Sequence, residues 1–202
     1  MNPFNPASTA LVIIDLQNDF LAADGAYARG GASNPKALLL PAKVAQVARA
    51  LKARGGMVAS SQFTLWPDAK GEPMIAPHLL ALRPFLRRGD FAPGGHGQAN
   101  VAEIAPLVDV SVCKVAYSAF FNTQLDWVLR HAGMDTVVVC GIVTNGGVAS
   151  TVRDAHMREY HTLVLEDACA AFKQETHDAA IADMRSIADV MRCDELLALL
   201  QP

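Results

Sequence analysis

The sequence predicts an α/β fold in which helices cover both faces of a parallel sheet. Three observations carry this. Short apolar runs alternate with longer amphipathic stretches along the chain. Some of those runs are apolar at every position, as in strands buried on both sides. Glycines stand where amphipathic stretches end, as at Gly55-Gly56 and Gly133.

In chain order, ALVII (Ala10–Ile14) is the first strand. Pro41–Arg54 is a helix, because Val44, Val47, Ala48 and Leu51 recur on one side of it. Gly55-Gly56 ends the helix, since glycine accepts the left-handed cap conformation. MVASS (Met57–Ser61) is the second strand. The stretch from Phe63 to Gly97 is rich in Pro and Gly and is expected to be irregular, apart from a short helix near Leu79. A connection this long in a compact domain commonly carries function or covers a site. Beyond it, VSVCK (Val110–Lys114) is a strand, Gln124–Ala132 a helix, and TVVVCG (Thr136–Gly141) a strand. Gly147–Glu159 is a helix, TLVLED (Thr162–Asp167) a strand, Thr176–Ile187 a helix, ADVM (Ala188–Met191) a last strand and Glu195–Leu200 a closing helix.

With 202 residues, and about 100–200 residues per domain, the whole chain 1–202 reads as one domain. Charged residues make up 18% and the net charge is -3. That balance excludes a polybasic nucleic-acid binder and an acidic disordered tail. The cysteines Cys113, Cys140, Cys169 and Cys193 lie far apart with no C-x-x-C spacing. This argues against a disulfide framework or a zinc cage and makes the cytoplasm the expected compartment. No run of about 18 apolar residues is present, so no membrane span is expected. The N-terminal MNPFNPAST has neither a basic n-region nor an apolar h-region and is not read as a signal peptide.

Ligands of open α/β sheets bind outside the carboxyl ends of the strands, near the point where strand order reverses. Residues that follow strands are therefore the site candidates. Asp15 closes the ALVII run. Burial there would raise its pKa, and a nearby ammonium would lower it; a turn or N-cap aspartate fits the local sequence equally well. Lys114 follows VSVC in the same way. Alone it is a strand-end lysine, but opposite Asp15 it would form a pair able to move a proton or hold developing charge. Gln17, just after Asp15, could hold a carboxylate or a ligand. At the third strand end, CGIVTNGGVASTVRDA, the turn Gly141–Gly147 runs into a helix whose first N–H groups suit an anion or oxyanion. An ordinary strand-to-helix connection explains the same glycines. No Gly-Lys-Ser/Thr follows, so this is not a P-loop.

The segments ALVIIDLQNDF, KVAYSAFFNTQLDWVLRHAG, VVVCGIVTNGGVASTVRDA and TLVLEDACAAF occur in this order. Through them the chain resembles the isochorismatase-like hydrolase (cysteine hydrolase) superfamily over nearly its whole length. GAYARGG (Gly25–Gly31) and YSAFFNTQLD (Tyr117–Asp126) resemble the ureidoacrylate amidohydrolase-like branch most. The resemblance implies a three-layer α/β/α sandwich with a six-stranded, mostly parallel sheet. It also implies a small-molecule substrate and a homo-oligomer, dimer or tetramer. It puts the catalytic Asp at Asp15, the catalytic Lys at Lys114, and an oxyanion-binding turn at Val143, Thr144 and Gly146, with a cis peptide expected at Val143–Thr144.

The family's cysteine pattern, T-x-x-C-V-x-x-T, falls on Thr144–Thr151 and puts Gly147 at the nucleophile position. Glycine cannot form a thioester. No other cysteine substitutes: Cys140 lies within a strand, and Cys113, next to Lys114, should face the other way. Two readings follow. True isochorismatases resemble this chain in dispensing with the cysteine; an acid protonates their vinyl-ether substrate and water releases pyruvate. Alternatively, the chain is an amide or ureido C–N hydrolase scaffold without its nucleophile, with impaired turnover or with ligand binding alone. Ala116 replaces the Arg of the family's Lys-x-Arg-Tyr-Ser, removing a cation that would suit a dicarboxylate such as isochorismate.

No metal or other cofactor is expected. The nicotinamidase branch carries a D-x-H motif after its second strand, whereas SSQFTLWPD here has no histidine between Ser60 and Pro77. The histidines show no H-x-x-x-H or H-E-x-x-H spacing. Phe20, Tyr27, Trp66, Tyr117, Phe120 and Phe121 are expected to wall a small, flat substrate, with Asn122 capping a helix or touching substrate, and His96 in a lid loop.

Overall fold

The computed structural model describes residues 4–201. Part of the N-terminal stretch read above, Met1 to Pro3, and Pro202 lie outside the described residues. The strands are β1 (Thr9–Ile14), β2 (Met57–Phe63), β3 (Val110–Lys114), β4 (Thr136–Ile142), β5 (His161–Ala170) and β6 (Asp189–Met191). They form one six-stranded sheet in the order β3-β2-β1-β4-β5-β6. Every neighbouring pair is parallel. The chain starts at the centre, winds outward through β2 to β3, then returns and winds outward the other way through β5 to β6. Strand order therefore reverses between β1 and β4, and the crevice of the switch point opens beyond Ile14 and Ile142.

The two central strands are the most apolar runs of the sequence, and all residues of β1 and β4 are buried. Parallel crossovers are right-handed, so a reversal of winding direction places the connecting helices on opposite faces. Accordingly α3 (Leu40–Ala53) packs with α8 (Cys193–Leu199), while α6 (Ala149–Met157) packs with α7 (Gln174–Met184). The buried stripe of α3 includes Val44, Val47, Ala48 and Leu51. It ends at Gly55, whose φ of 84° belongs to the left-handed region. The remaining helices are short: α1 (Asn18–Leu21), α2 (Ala26–Arg29), α4 (Pro77–Ala81) and α5 (Leu125–His131).

Four differences from the sequence reading stand out, and pairing in the sheet explains the first two. Strand β2 continues past Ser61 to Phe63, because parallel pairing with β3 persists to the Phe63–Lys114 register. Strand β5 continues past Asp167 to Ala170: a register shift after Val139 lets Cys169 and Ala170 pair with Gly141 and Ile142. The helix expected from Gly147 begins at Ala149, preceded by a wide π-type turn over Thr144–Val148. The non-proline cis peptide is Ile142–Val143, one bond before the expected place.

The stretch after β2 is irregular but anchored. Asp19 accepts the Ala26 amide at 3.0 Å through one carboxylate oxygen and the Phe91 amide at 2.6 Å through the other. That carboxylate ties α1, α2 and residues near 91 together. A second apolar cluster of Ala26, Tyr27, Leu65, Leu86 and Phe91 forms around it, with Phe20, Phe63 and Phe85 packed alongside. This satellite core is one wall of the site.

Candidate active site

Asp15 leaves β1 with a φ of 55°, a left-handed conformation that aspartate tolerates better than most side chains. Its amide donates to the Ser61 carbonyl at 3.2 Å. Across β2, at the end of β3, Lys114 places Nζ 2.7 Å from Asp15 Oδ2. Ser61 Oγ donates to Asp15 Oδ1 at 2.9 Å, and Lys114 Nζ donates to the Ala116 carbonyl at 3.0 Å. The Phe63 ring centroid lies 5.7 Å from the ammonium. Asp15 is 5% exposed and Lys114 2% exposed. Burial pushes the Asp15 carboxyl above its ordinary range, and the attraction of Lys114 and the Ser61 hydrogen bond only partly offset that.

The third strand end meets this pair. The cavity beside it has a volume of about 300 Å³ and is lined by Asp15, Lys114, Val143 and Gly147 together. The turn is fixed from below: Thr151 Oγ1 donates to the Gly147 carbonyl at 2.7 Å and accepts the Ala119 amide at 3.0 Å. Thr144 Oγ1 lies 2.8 Å from His177 Nδ1, tying the turn to α7. Space at Gly147 is closed. A Cβ there would sit 2.8 Å from Ile14 Cγ2 and 3.0 Å from the Ile142 carbonyl oxygen.

Of the expected aromatic wall, Phe20, Tyr27, Trp66 and Tyr117 line the cavity. Phe120 does not: it is buried in the main core, its ring 5.9 Å from that of Tyr160. Phe121 and Asn122 also lie outside the lining, both exposed. Asn122 is in a left-handed turn with a φ of 53°, and α5 starts only at Leu125. Gln17 is buried one step behind the site. Its amide donates to the carbonyls of Phe63 at 3.0 Å and Gln98 at 2.8 Å, while its oxygen accepts the Phe63 amide at 2.8 Å. It holds backbone in place of a ligand. Thr144 and Gly146 support the turn without lining the cavity, and the His96 carbonyl accepts the Asn18 amide.

Among the lining residues not anticipated, Phe63, Phe172 and Arg83 matter most. Phe63 became visible only once β2 extended. Phe172 follows β5 and stacks on Tyr27, with centroids 6.1 Å apart and ring planes 9° apart. Arg83 arrives from the irregular stretch just after α4, and its Nε donates to the Tyr27 hydroxyl at 2.9 Å. No periodicity marks such a residue in sequence. Burial pushes the Tyr27 phenol up, so it stays neutral beside the guanidinium.

None of the cysteines lines the cavity. Burial pushes the thiols of Cys140 and Cys169 up, and that of Cys193 up to about 12, so these three stay protonated and inert at neutral pH. Among the described residues no group of three His, Cys, Asp or Glu side chains could hold a metal ion. Nor is any helix among them long and apolar enough to cross a membrane.

A doubly wound sheet with a buried acid–amine pair at its switch point defines an α/β fold with a cavity where such folds bind ligands. Comparison with known proteins narrows it. The isochorismatase domain model matches residues 9–195, and the chain belongs to the isochorismatase family. It is 31% identical over 198 residues to the uncharacterized isochorismatase family protein YecD of Escherichia coli O157:H7, covering 98% of each chain. It is 30% identical to the ureidoacrylate amidohydrolase RutB of Klebsiella pneumoniae, covering 97% of this chain and 92% of that one. Among solved structures, a cysteine hydrolase from Pseudomonas syringae pv. phaseolicola superposes with a TM-score of 0.83 at 25% identity, covering 99% of this chain and 95% of that one. The chain is a hydrolase of the isochorismatase/cysteine hydrolase type.

Proposed function

We propose that this chain hydrolyses C–N bonds, amide or ureido, in small molecules, and that it does so without a protein nucleophile. The whole chain acts as one catalytic domain in this reading. The observation that carries it is the 2.7 Å Asp15–Lys114 pair on the same cavity as the Gly147 backbone. With no thiol to attack the carbonyl, water must do so. The Asp15 carboxylate takes a proton from that water and returns it to the departing nitrogen, leaving an acid and an amine. A raised proton affinity suits a group that must both take and return a proton. Lys114 steadies the carboxylate and the negative charge that grows on the carbonyl oxygen. Likeness to ureidoacrylate amidohydrolases supports the bond class. Turnover is expected to be slow, because no covalent intermediate divides the barrier.

A second reading is favoured by the raised Asp15 pKa together with the closed space at Gly147. Protonated Asp15 would give its proton to the terminal carbon of an enolpyruvyl ether. Water would capture the oxocarbenium ion, and pyruvate and an alcohol would leave. The test is parallel: ammonia release from ureido acids and simple amides, and pyruvate release from isochorismate, each with Asp15→Asn. The class that turns over only with Asp15 intact names the bond. Turnover of both classes unaffected by Asp15→Asn sinks both readings, and turnover of neither marks a ligand-binding protein.

A further inference from the structure

The charges around the cavity do not balance. Asp15 and Lys114 neutralise each other at 2.7 Å. Arg83 has no such counterpart. Its neighbours Arg29 and Arg88 pair with Asp90 and Glu72. Among the described residues, the group that hydrogen-bonds the Arg83 guanidinium is the Tyr27 phenol, with Tyr117 lining the same cavity. A phenol satisfies one hydrogen bond but leaves the charge uncompensated. A half-buried guanidinium facing a mostly apolar cavity without a counter-ion is costly. Nε is spent on Tyr27, whereas the terminal nitrogens form the fork that matches a carboxylate with two parallel hydrogen bonds. Apolar surface surrounds it: Leu65, Ile75, Leu79, Phe172 and Trp66 line the same cavity.

We infer that Arg83 is the specificity-determining residue of this pocket and that the substrate is a monocarboxylate with an apolar body, its anionic end on Arg83 and its scissile bond toward Asp15. The assignment rests on the reading of this cavity as the catalytic one and adds the substrate class. It also explains how the pocket manages without a cation at position 116. Ala116 lines the cavity but offers only its carbonyl, to Lys114, and the positive charge enters from the loop after α4 instead.

The experiment measures binding, so that it stands apart from turnover. Calorimetric titration compares 3-phenylpropionate with its neutral counterpart 3-phenyl-1-propanol on the full chain and on Arg83→Gln, Arg83→Lys and the double variant Asp15→Leu/Lys114→Met. A charge-assisted hydrogen bond is worth enough for about a 10- to 100-fold preference for the carboxylate. Arg83→Gln is expected to erase that preference while leaving the alcohol's affinity unchanged, and Arg83→Lys to keep part of it. The double variant, which removes the other cation together with its counter-ion, is expected to keep the preference. Equal binding of the two probes by the wild-type chain, binding of neither at millimolar concentration, or a preference that survives Arg83→Gln overturns the inference. If Arg83→Gln is not folded by circular dichroism, Arg83→Lys and the double variant decide: a preference lost in the double variant and intact in Arg83→Lys overturns it. An Arg83-dependent preference in a chain that hydrolyses nothing upholds the inference and ends the catalytic reading. Hydrolysis of neutral amides with no carboxylate preference does the reverse.

Discussion

Substituting Gly147→Cys tests both the packing and the lineage. The new Cβ would lie 2.8 Å from Ile14 Cγ2 and 3.0 Å from the Ile142 carbonyl oxygen. Two carbons sit comfortably at about 3.5–4.0 Å, so either Ile14 or the turn must move. Ile14 is fully buried on the central strand, and the turn is held by Thr151, so neither yields freely. Overpacking of this kind costs about 1–3 kcal/mol, which at about 2–4 °C per kcal/mol lowers Tm by roughly 2–12 °C in a chain of this size. Ile14→Ala alone costs about 2–5 kcal/mol through the cavity it opens. In the double variant the clash is gone and the thiol occupies part of that cavity. The double variant should therefore be about 1–3 kcal/mol more stable than the sum of the singles. Urea denaturation of all four proteins measures this, and additivity within about 0.5 kcal/mol refutes the packing argument. The same proteins report on chemistry. A thiol beside the Asp15–Lys114 pair should accelerate ammonia release from ureido and amide substrates. A folded Gly147→Cys protein whose thiol reacts with alkylating agents but which remains inert toward those substrates would falsify the amidase lineage.

Other perturbations probe the pair and its support. Lys114→Met leaves a buried carboxylate with Ser61 as its remaining side-chain partner and should cost about 3–5 kcal/mol, whereas Asp15→Leu with Lys114→Met should recover most of that stability without recovering activity, both by urea denaturation. Because burial holds the Asp15 pKa above 3.8, the folded state binds more protons than the unfolded state just above that pH. Its contribution to stability is thus full below 3.8 and fades as pH rises through the folded pKa; denaturation across that range should show a steeper fall for wild type than for Asp15→Asn. In the same window kcat/KM should rise with pH if Asp15 takes a proton from water, and fall with pH if it donates one to a vinyl ether. Gln17→Leu orphans the buried backbone of Phe63 and Gln98 and should cost about 1–3 kcal/mol for each group left unsatisfied. It should also raise KM through displacement of Phe63, and an unchanged KM in a destabilised variant would show that the clamp is structural only.

The strands and the Asp15–Lys114 pair were legible because they obey strong local rules. A wholly apolar run such as ALVII can only be a buried strand or a buried helix segment, and a charged residue directly after it must lie at the sheet's edge of burial. Asp15 and Lys114 share that position on strands of one sheet, so topology alone brings them together. Residues whose place depends on long-range packing were not legible. Phe120 and Phe20 look alike in sequence, yet Phe120 is buried in the main core while Phe20 packs between that core and the satellite cluster organised by Asp19. Gln17 follows the end of β1 as a ligand-binding residue would, but extension of β2 brings the Phe63 backbone within its reach, and unpaired backbone claims a buried amide first. Arg83 lies in a stretch with no periodicity at all, and only the fold carries it back over the cavity. The division follows from the architecture. Groups at strand ends are fixed by the sheet and can hold chemistry in register, while groups on the connecting stretch can change without disturbing it. Substitutions that redirect substrate choice should therefore concentrate between Thr64 and Arg83, and those that abolish turnover at the ends of β1 and β3.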